Sequence, residues 1–133
     1  METVACADYL PNAASQALVH ELLERLADKW TLLVIEALED GTPVRFTRLR
    51  ESVTGVSQKM LTKTLRQLER DGLVIRRVHP VSPPHVDYTL TSAGQSLGEA
   101  VCSFWTWVEL HAVSVAEARR AYVDRADAVS EAG

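Results

Sequence analysis

Ser57-Gln58-Lys59-Met60-Leu61-Thr62-Lys63-Thr64-Leu65-Arg66-Gln67-Leu68-Glu69-Arg70-Asp71-Gly72-Leu73-Val74-Ile75-Arg76-Arg77-Val78 changes its period partway along, and that change decides the fold. Met60, Leu61, Leu65 and Leu68 recur at the spacing of one helix face. Ser57 is a good N-cap and Gly72 a good stop, so a helix is expected from Ser57 to Asp71. Beyond the glycine, Leu73–Val78 is β-branched and strand-like, and Val86-Asp87-Tyr88-Thr89-Leu90 alternates. Between the two strands lies His79-Pro80-Val81-Ser82-Pro83-Pro84-His85. Its three prolines cannot form a ladder, but they make a stiff loop between antiparallel strands.

Working upstream, Val53-Thr54-Gly55 reads as a turn, preceded by a short helix Phe46–Ser52 with Phe46 and Leu49 inward. Asp28 caps a helix whose buried stripe is expected to be Trp30, Leu33, Val34, Ala37 and Leu38, ending near Gly41. Leu18, Val19, Leu22, Leu23 and Leu26 mark an amphipathic helix over Asn12–Ala27. Met1–Pro11 shows no periodicity and reads as a loose arm. Downstream, Thr91 caps a helix expected to run to His111. Ser114-Val115-Ala116-Glu117 reads as a capping box opening another, which carries Ala118, Ala121, Tyr122 and Arg125. Helix, helix, helix, turn, helix, strand, loop, strand is the order of a helix-turn-helix followed by a β-hairpin wing. The expected fold is mainly α with a small β-hairpin: a winged helix-turn-helix with extra N- and C-terminal dimerisation helices. Residues 1–11 are assigned to a flexible arm, 12–111 to the winged-helix domain and 112–133 to a C-terminal dimerisation helix and tail.

The chain's 133 residues suffice for one domain with a real core. The longest apolar run, Leu32-Leu33-Val34-Ile35, stops at Glu36, far short of a membrane span. Met1-Glu2-Thr3-Val4 lacks the basic start and apolar stretch of a signal peptide, so a cytoplasmic location and no membrane partner are expected. The net charge of −4 hides a split. From Arg45 to His79 nine cations face three acids, a net +6. Elsewhere five cations face fifteen acids, a net −10. An acidic body with one basic middle presents a single face to phosphate, although chance clustering on a solvated surface would give the same count.

With Met60, Leu61, Leu65 and Leu68 inward, the opposite face of that helix carries Ser57, Gln58, Lys59, Thr62, Lys63 and Arg66. Gln58 suits bidentate contact to adenine, Lys59 reaches guanine or phosphate, and Thr62 offers a hydroxyl and a methyl. Lys63 and Arg66 suit phosphate, which gives affinity without sequence information. Arg45, and Arg76 and Arg77 at the hairpin, complete the candidate cations. His85, at the loop, is a candidate wing contact. As metal ligands His79 and His85 lack a visible partner, because no cysteine or acidic cluster is near, and no metal or cofactor is expected. The histidines His20, His79, His85 and His111 are scattered without a nucleophile or carboxylate partner at ligand spacing, which argues against an enzyme. The competing reading is a winged-helix protein-interaction module without DNA binding; the basic middle separates the two.

These residues resemble the HxlR-type winged-helix regulators, a branch close to the MarR type. The resemblance rests on Lys29-Trp30-Thr31-Leu32-Leu33, on Arg45-Phe46-Thr47-Arg48-Leu49-Arg50, and on the run from Val56 to Val74. It continues through Pro83-Pro84-His85-Val86-Asp87-Tyr88-Thr89-Leu90-Thr91 and returns at Trp107. It implies a homodimeric regulator that binds a palindromic double-stranded operator with its Ser57–Asp71 helix in the major groove, repression being the commoner outcome. Ala27-Asp28 stands where members usually carry Gly-Gly. Leu97, Val101, Phe104 and Val108 form one stripe on the helix after Thr91, and Ala100, Trp107 and His111 another. A helix apolar on two sides buries both, one against its own domain and one against a second copy. Leu18, Leu22, Phe104, Trp107, Val108 and Tyr122 are therefore the expected dimer contacts. Phe104, Trp105, Trp107 and Tyr122 are also a candidate pocket for a small hydrophobic effector.

Many members carry an oxidant- or electrophile-sensing cysteine at the start of the first helix. The matching place here is Gln16–Ala17, and Cys6 lies some ten residues upstream, so the role does not transfer by position. Glu2 and Asp8 beside Cys6 disfavour its thiolate, and Cys102 sits mid-helix as a small hydrophobe. Cys6 is therefore expected to be a bystander; in the alternative, an N-terminal arm brings Cys6 to a partner's Cys102 and oxidation crosslinks the dimer.

Overall fold

The structure is a computed structural model that describes residues 13–132. Its elements are α1 (Ala13–Leu26), α2 (Lys29–Ala37), β1 (Val44–Arg45), α3 (Phe46–Ser52), α4 (Gln58–Arg70), β2 (Val74–His79), β3 (His85–Leu90) and α5 (Ser92–Ala132). The expected winged helix-turn-helix is present, with α3 and α4 as its helical pair and β2–β3 as the wing. Met1–Pro11, including Cys6, lies outside the described residues.

Local chemistry sets the boundaries. The Asp28 carboxylate accepts from the Thr31 N–H and starts α2. Ser57 Oγ accepts from the Met60 N–H at 3.0 Å and starts α4. At the far end of α4, the Leu73 N–H returns to the Leu68 carbonyl at 2.9 Å and the Gly72 N–H to Glu69 at 3.1 Å. This Schellman closure needs a left-handed residue at Gly72, whose φ is +74°. It turns the chain straight from α4 into β2.

Leu61, Leu65 and Leu68 of α4 meet Val34, Ile35 and Leu38 of α2, with Leu49, Val53 and Val56 closing one side of the core. Val74, Tyr88 and Leu90 close the other. The inward stripe of α2 is rotated from the expected one: Thr31 and Ile35 are buried, while Trp30, Leu33 and Ala37 are only half-buried. Helix α2 is covered on more than one side, by α4 and by α5, so a single-face reading misplaces its centre.

The sheet has three strands in the order β1-β3-β2, all antiparallel. The sequence pattern anticipates two. The third, Val44–Arg45, pairs with Tyr88 and Asp87 and is too short to show a period. At the other end, α5 is one unbroken helix where two were expected. Ser114-Val115-Ala116-Glu117 lies inside it, because a capping pattern starts a helix only where the preceding chain leaves helical geometry. Thr91 does cap α5: its Oγ1 accepts from the Gly94 N–H at 3.1 Å.

Only the first turns of α5 pack on the body, through Gly94, Leu97, Gly98 and Val101. Phe104 and Val108, which share a stripe with the packed Leu97 and Val101, are exposed. Beyond Val101 the helix draws away from the body, and Trp105 is the last half-buried side chain among its described residues.

Candidate nucleic-acid interface

Helix α4 turns its leucines inward, and its polar residues follow on the other side at i, i+3 and i+4 spacing. Gln58, Lys59, Thr62, Lys63 and Arg66 line one open groove of about 770 Å³ along that face. Gln67 and Arg70 extend it by one turn. Neither was singled out from sequence, although both stand four residues beyond a singled-out cation. Ser57 sits at the helix start with its oxygen engaged as the cap acceptor, which leaves its O–H free to donate.

A second cleft, of about 710 Å³, separates α4 from the wing. Thr62, Arg66 and Glu69 form its α4 wall, Arg45 and Thr47 its floor, and Arg76, His85 and Tyr88 its wing wall. Arg45 gets there as the last residue of β1 and the N-cap position of α3. Thr62 and Arg66 belong to both grooves, which makes the two surfaces continuous.

The structure separates Arg76 from Arg77. Successive strand residues point to opposite faces of the pleat. Arg76 opposes Tyr88 and lines the cleft, whereas Arg77 opposes Asp87 on the outward face. Of the sequence-derived cations, Arg45, Lys59, Lys63, Arg66 and Arg76 thus gather on the two grooves, and Arg77 does not join them.

Of the two acids at the far end of α4, Glu69 and Asp71, one is neutralised by α1. Asp71, at the end of α4, is bound by the Arg25 guanidinium of α1 at 2.9 and 3.0 Å. The pairing raises the Arg25 pKa above its already high ordinary value, chiefly through the hydrogen bond to Asp71. Glu69 is the remaining acid of the cleft wall.

The loop end of the wing, where His85 borders the cleft, holds a group that sequence reasoning did not assemble. His79 Nε2 lies 2.7 Å from Asp87 Oδ2, and the His79 ring stacks on His85 with centroids 4.6 Å apart. His79 and His85 lacked a visible partner in the sequence. The strand register supplies one, by carrying Asp87 to the same face. Alternation over Val86–Leu90 is the signal that could have found it, but alternation alone marks core-facing residues and not cross-strand neighbours.

The expected dimer residues lie elsewhere. Leu18, Phe104, Trp107, Val108 and Tyr122 are exposed and Leu22 is half-buried, all on α1 and α5. Cys102 is exposed on α5. The Glu39 carboxylate beside it pushes its thiol pKa up, with Glu36 adding to the effect. No helix among the described residues is long and apolar enough to cross a membrane.

Residues 25–115 match the family profile described as HxlR-like helix-turn-helix. Over 106 residues the chain is 41% identical to the HTH-type transcriptional regulator YtfH of Escherichia coli K12, spanning 80% of this chain and 83% of that protein. A solved structure of the regulator ytfH from Salmonella typhimurium superposes with a TM-score of 0.72 at 39% identity, covering 77% of this chain and 90% of that one. The redox regulator HypR in its reduced form superposes with a TM-score of 0.68 at 33% identity, covering 75% and 98% respectively. Element order, family profile and relatives agree: the chain belongs to the HxlR-like helix-turn-helix family of transcriptional regulators.

Proposed function

We propose that two copies of this chain bind a palindromic double-stranded operator in the cytoplasm and repress transcription by occupying it. Helix α4 enters the major groove. Gln58, Lys59 and Thr62 face base edges, and Lys63 and Arg66 hold phosphates. Arg45 and Arg76 grip the adjoining backbone from the cleft, and His85 follows the wing. The observation that carries this reading is the continuity of the two grooves around Thr62 and Arg66, where, among the described residues, six cations line the surface with a single acid, Glu69. The body around them is acidic.

The second copy is called for by α5. Among the described residues, Phe104, Trp107, Val108 and Tyr122 beyond Val101 are exposed. Pairing through α5 and α1 covers them, with Leu18, Leu22, Phe104, Trp107, Val108 and Tyr122 at the contact. It also sets two α4 helices to read half-sites about one DNA turn apart. Repression follows from position, since a seated dimer excludes polymerase. The signal is a small hydrophobic or electrophilic molecule, a reading supported by the α5 aromatics and by the likeness to a regulator named for redox control.

The test is selection of bound sequences from a random duplex pool, followed by titration at several salt concentrations. A palindromic consensus and a steep fall of affinity with salt are expected. Affinity independent of salt would sink the phosphate contacts, and failure to select any sequence would favour a protein-binding winged helix.

A further inference from the structure

The wing brings together two imidazoles and a carboxylate at its loop end, where His85 also borders the cleft. In the β2–β3 register His79 stands directly opposite His85, and Asp87 lies two residues along from His85 on the same side of the pleat. The nitrogen and oxygen atoms they offer all lie within 4.8 Å of one another. We propose that His79, His85 and Asp87 form a binding site for a divalent first-row transition ion of the zinc class.

A plain His–Asp ion pair accounts for only part of this arrangement. It engages one carboxylate oxygen, Oδ2, with one ring. The other oxygen, Oδ1, is buried and has no hydrogen-bond partner among the described residues, although the Asp87 side chain is 13% exposed overall. A buried carboxylate oxygen without a partner is costly. Arg45 and Arg77 both stand in register with Asp87, yet among the described ion pairs neither bonds it. The second ring, His85, lies stacked against His79 with its planes 20° apart, close enough for small rotations to aim both rings at one point. A single cation bound to both rings and to the carboxylate satisfies all three groups.

The donor set selects the ion. Two imidazoles with one carboxylate suit zinc, cobalt or nickel, while calcium and magnesium prefer all-oxygen cages and copper(I) prefers sulfur. Three protein ligands leave a coordination position open to water. Bond lengths of about 2.0–2.2 Å require the three side chains to draw in. The ligands bracket the loop that holds Pro80, Pro83 and Pro84, so a bound ion fastens the two strands where the wing loop leaves them.

The experiment titrates Zn²⁺, and separately Co²⁺, into the untagged, EDTA-treated full chain without DNA. One ion per chain is expected by calorimetry. His79→Ala, His85→Gln and Asp87→Asn should each weaken binding by at least about tenfold, since even groups that only orient ligands are worth that much. Circular dichroism checks that each variant is folded, and the conservative His85→Gln and Asp87→Asn stand in if His79→Ala is not. The Cys6→Ser/Cys102→Ser double variant should bind as the parent does. Bound Co²⁺ should show visible d–d bands without a thiolate charge-transfer band. Absence of binding at micromolar ion, undiminished binding in the folded histidine and aspartate variants, or a thiolate band overturns the site. A failure of operator binding leaves this result untouched, because the readout is the metal alone.

Discussion

Arg25, in the last turn of α1, donates from one guanidinium nitrogen to both carboxylate oxygens of Asp71, the residue that ends α4. The other terminal nitrogen reaches Glu21 one turn back, at 2.7 Å. With the side chains 19% and 16% exposed, the Arg25–Asp71 pair is half-sheltered and spans 46 residues of sequence. It pins the N-terminal helix to the end of α4.

That link should be visible as coupling. Arg25→Ala and Asp71→Ala are each expected to lower Tm. The double variant should lose less than the sum, because the second change removes a group already unpaired. Strict additivity in thermal or urea unfolding would show that the two side chains do not sense each other.

Gly94 and Gly98 lie one turn apart on α5 and should respond oppositely to a methyl group. A Cβ at Gly94 would run into the Leu73 carbonyl oxygen, where α5 crosses the start of β2. Gly94→Ala is therefore expected to destabilise by about 1–3 kcal/mol, the cost of overpacking. At Gly98 the nearest atoms, on Ile35 and Leu90, stand 3.9 Å from the same methyl, an ordinary contact. Gly98→Ala should be neutral or stabilising by up to about 1 kcal/mol through helix propensity. Urea unfolding of the two variants decides it.

The pleat of the wing predicts unequal roles for adjacent arginines. Arg76→Ala should weaken DNA binding and flatten the plot of log K against log salt by about 0.9 for each phosphate that is no longer neutralised. Arg77→Ala, on the outward face, should leave that slope near the parent's. Gln58→Ala should instead relax base preference at one position, costing about 1–3 kcal/mol there. Equally flattened slopes at the two arginines would mean that the wing meets DNA edge-on.

For the pairing of two copies, Trp107 is the informative position. It is exposed and stacks on His111 with ring centroids 4.4 Å apart, in the middle of the uncovered part of α5. Trp107→Ala should raise the dimer Kd by about 30-fold or more, as expected of an aromatic hot spot. Operator affinity should fall with it. Sedimentation at micromolar concentration reads the first effect, and a parent protein that sediments as a monomer would refute the pairing.

Cys102 should be a slow thiol. The charge of Glu39, then the hydrogen bond to it, hold the thiol pKa above its ordinary value, so the thiolate appears only at higher pH. Its alkylation rate should rise later on a pH scale than that of a free cysteine peptide. Glu39→Gln should bring that rise to lower pH. A rate profile that ignores Glu39 would show that the carboxylate does not govern the thiol.

Much of this architecture is legible in the chain itself. Ser57, Gly72 and the leucines between them are local signals, so they mark α4 and its cap to within a residue. The basic face of α4 follows from the same period. What the sequence hides depends on register and on neighbours. Asp87 joins His79 only because β2 and β3 pair as they do. Arg76 and Arg77 look equivalent until a pleat separates them. Ile35 is at the core centre because α5 covers a side of α2 that the sequence of α2 alone marks as peripheral. Ser114–Glu117 has the letters of a helix start, but letters do not break a helix that is already running.

The joint at Thr91 has a mechanical consequence. Its hydroxyl donates to the Gly72 carbonyl at 2.6 Å while accepting from the Gly94 N–H, and its own N–H binds the Leu73 carbonyl at 3.0 Å. One residue therefore hinges the tail of α4 to the root of α5. From that root α5 extends about 60 Å at 1.5 Å per residue, mostly clear of the body. It is a long lever on a short fulcrum. A displacement of the far end by a few ångströms would turn the root by a few degrees. In a pair of copies joined along α5, that rotation would pass through Thr91 into the angle between the two reading heads.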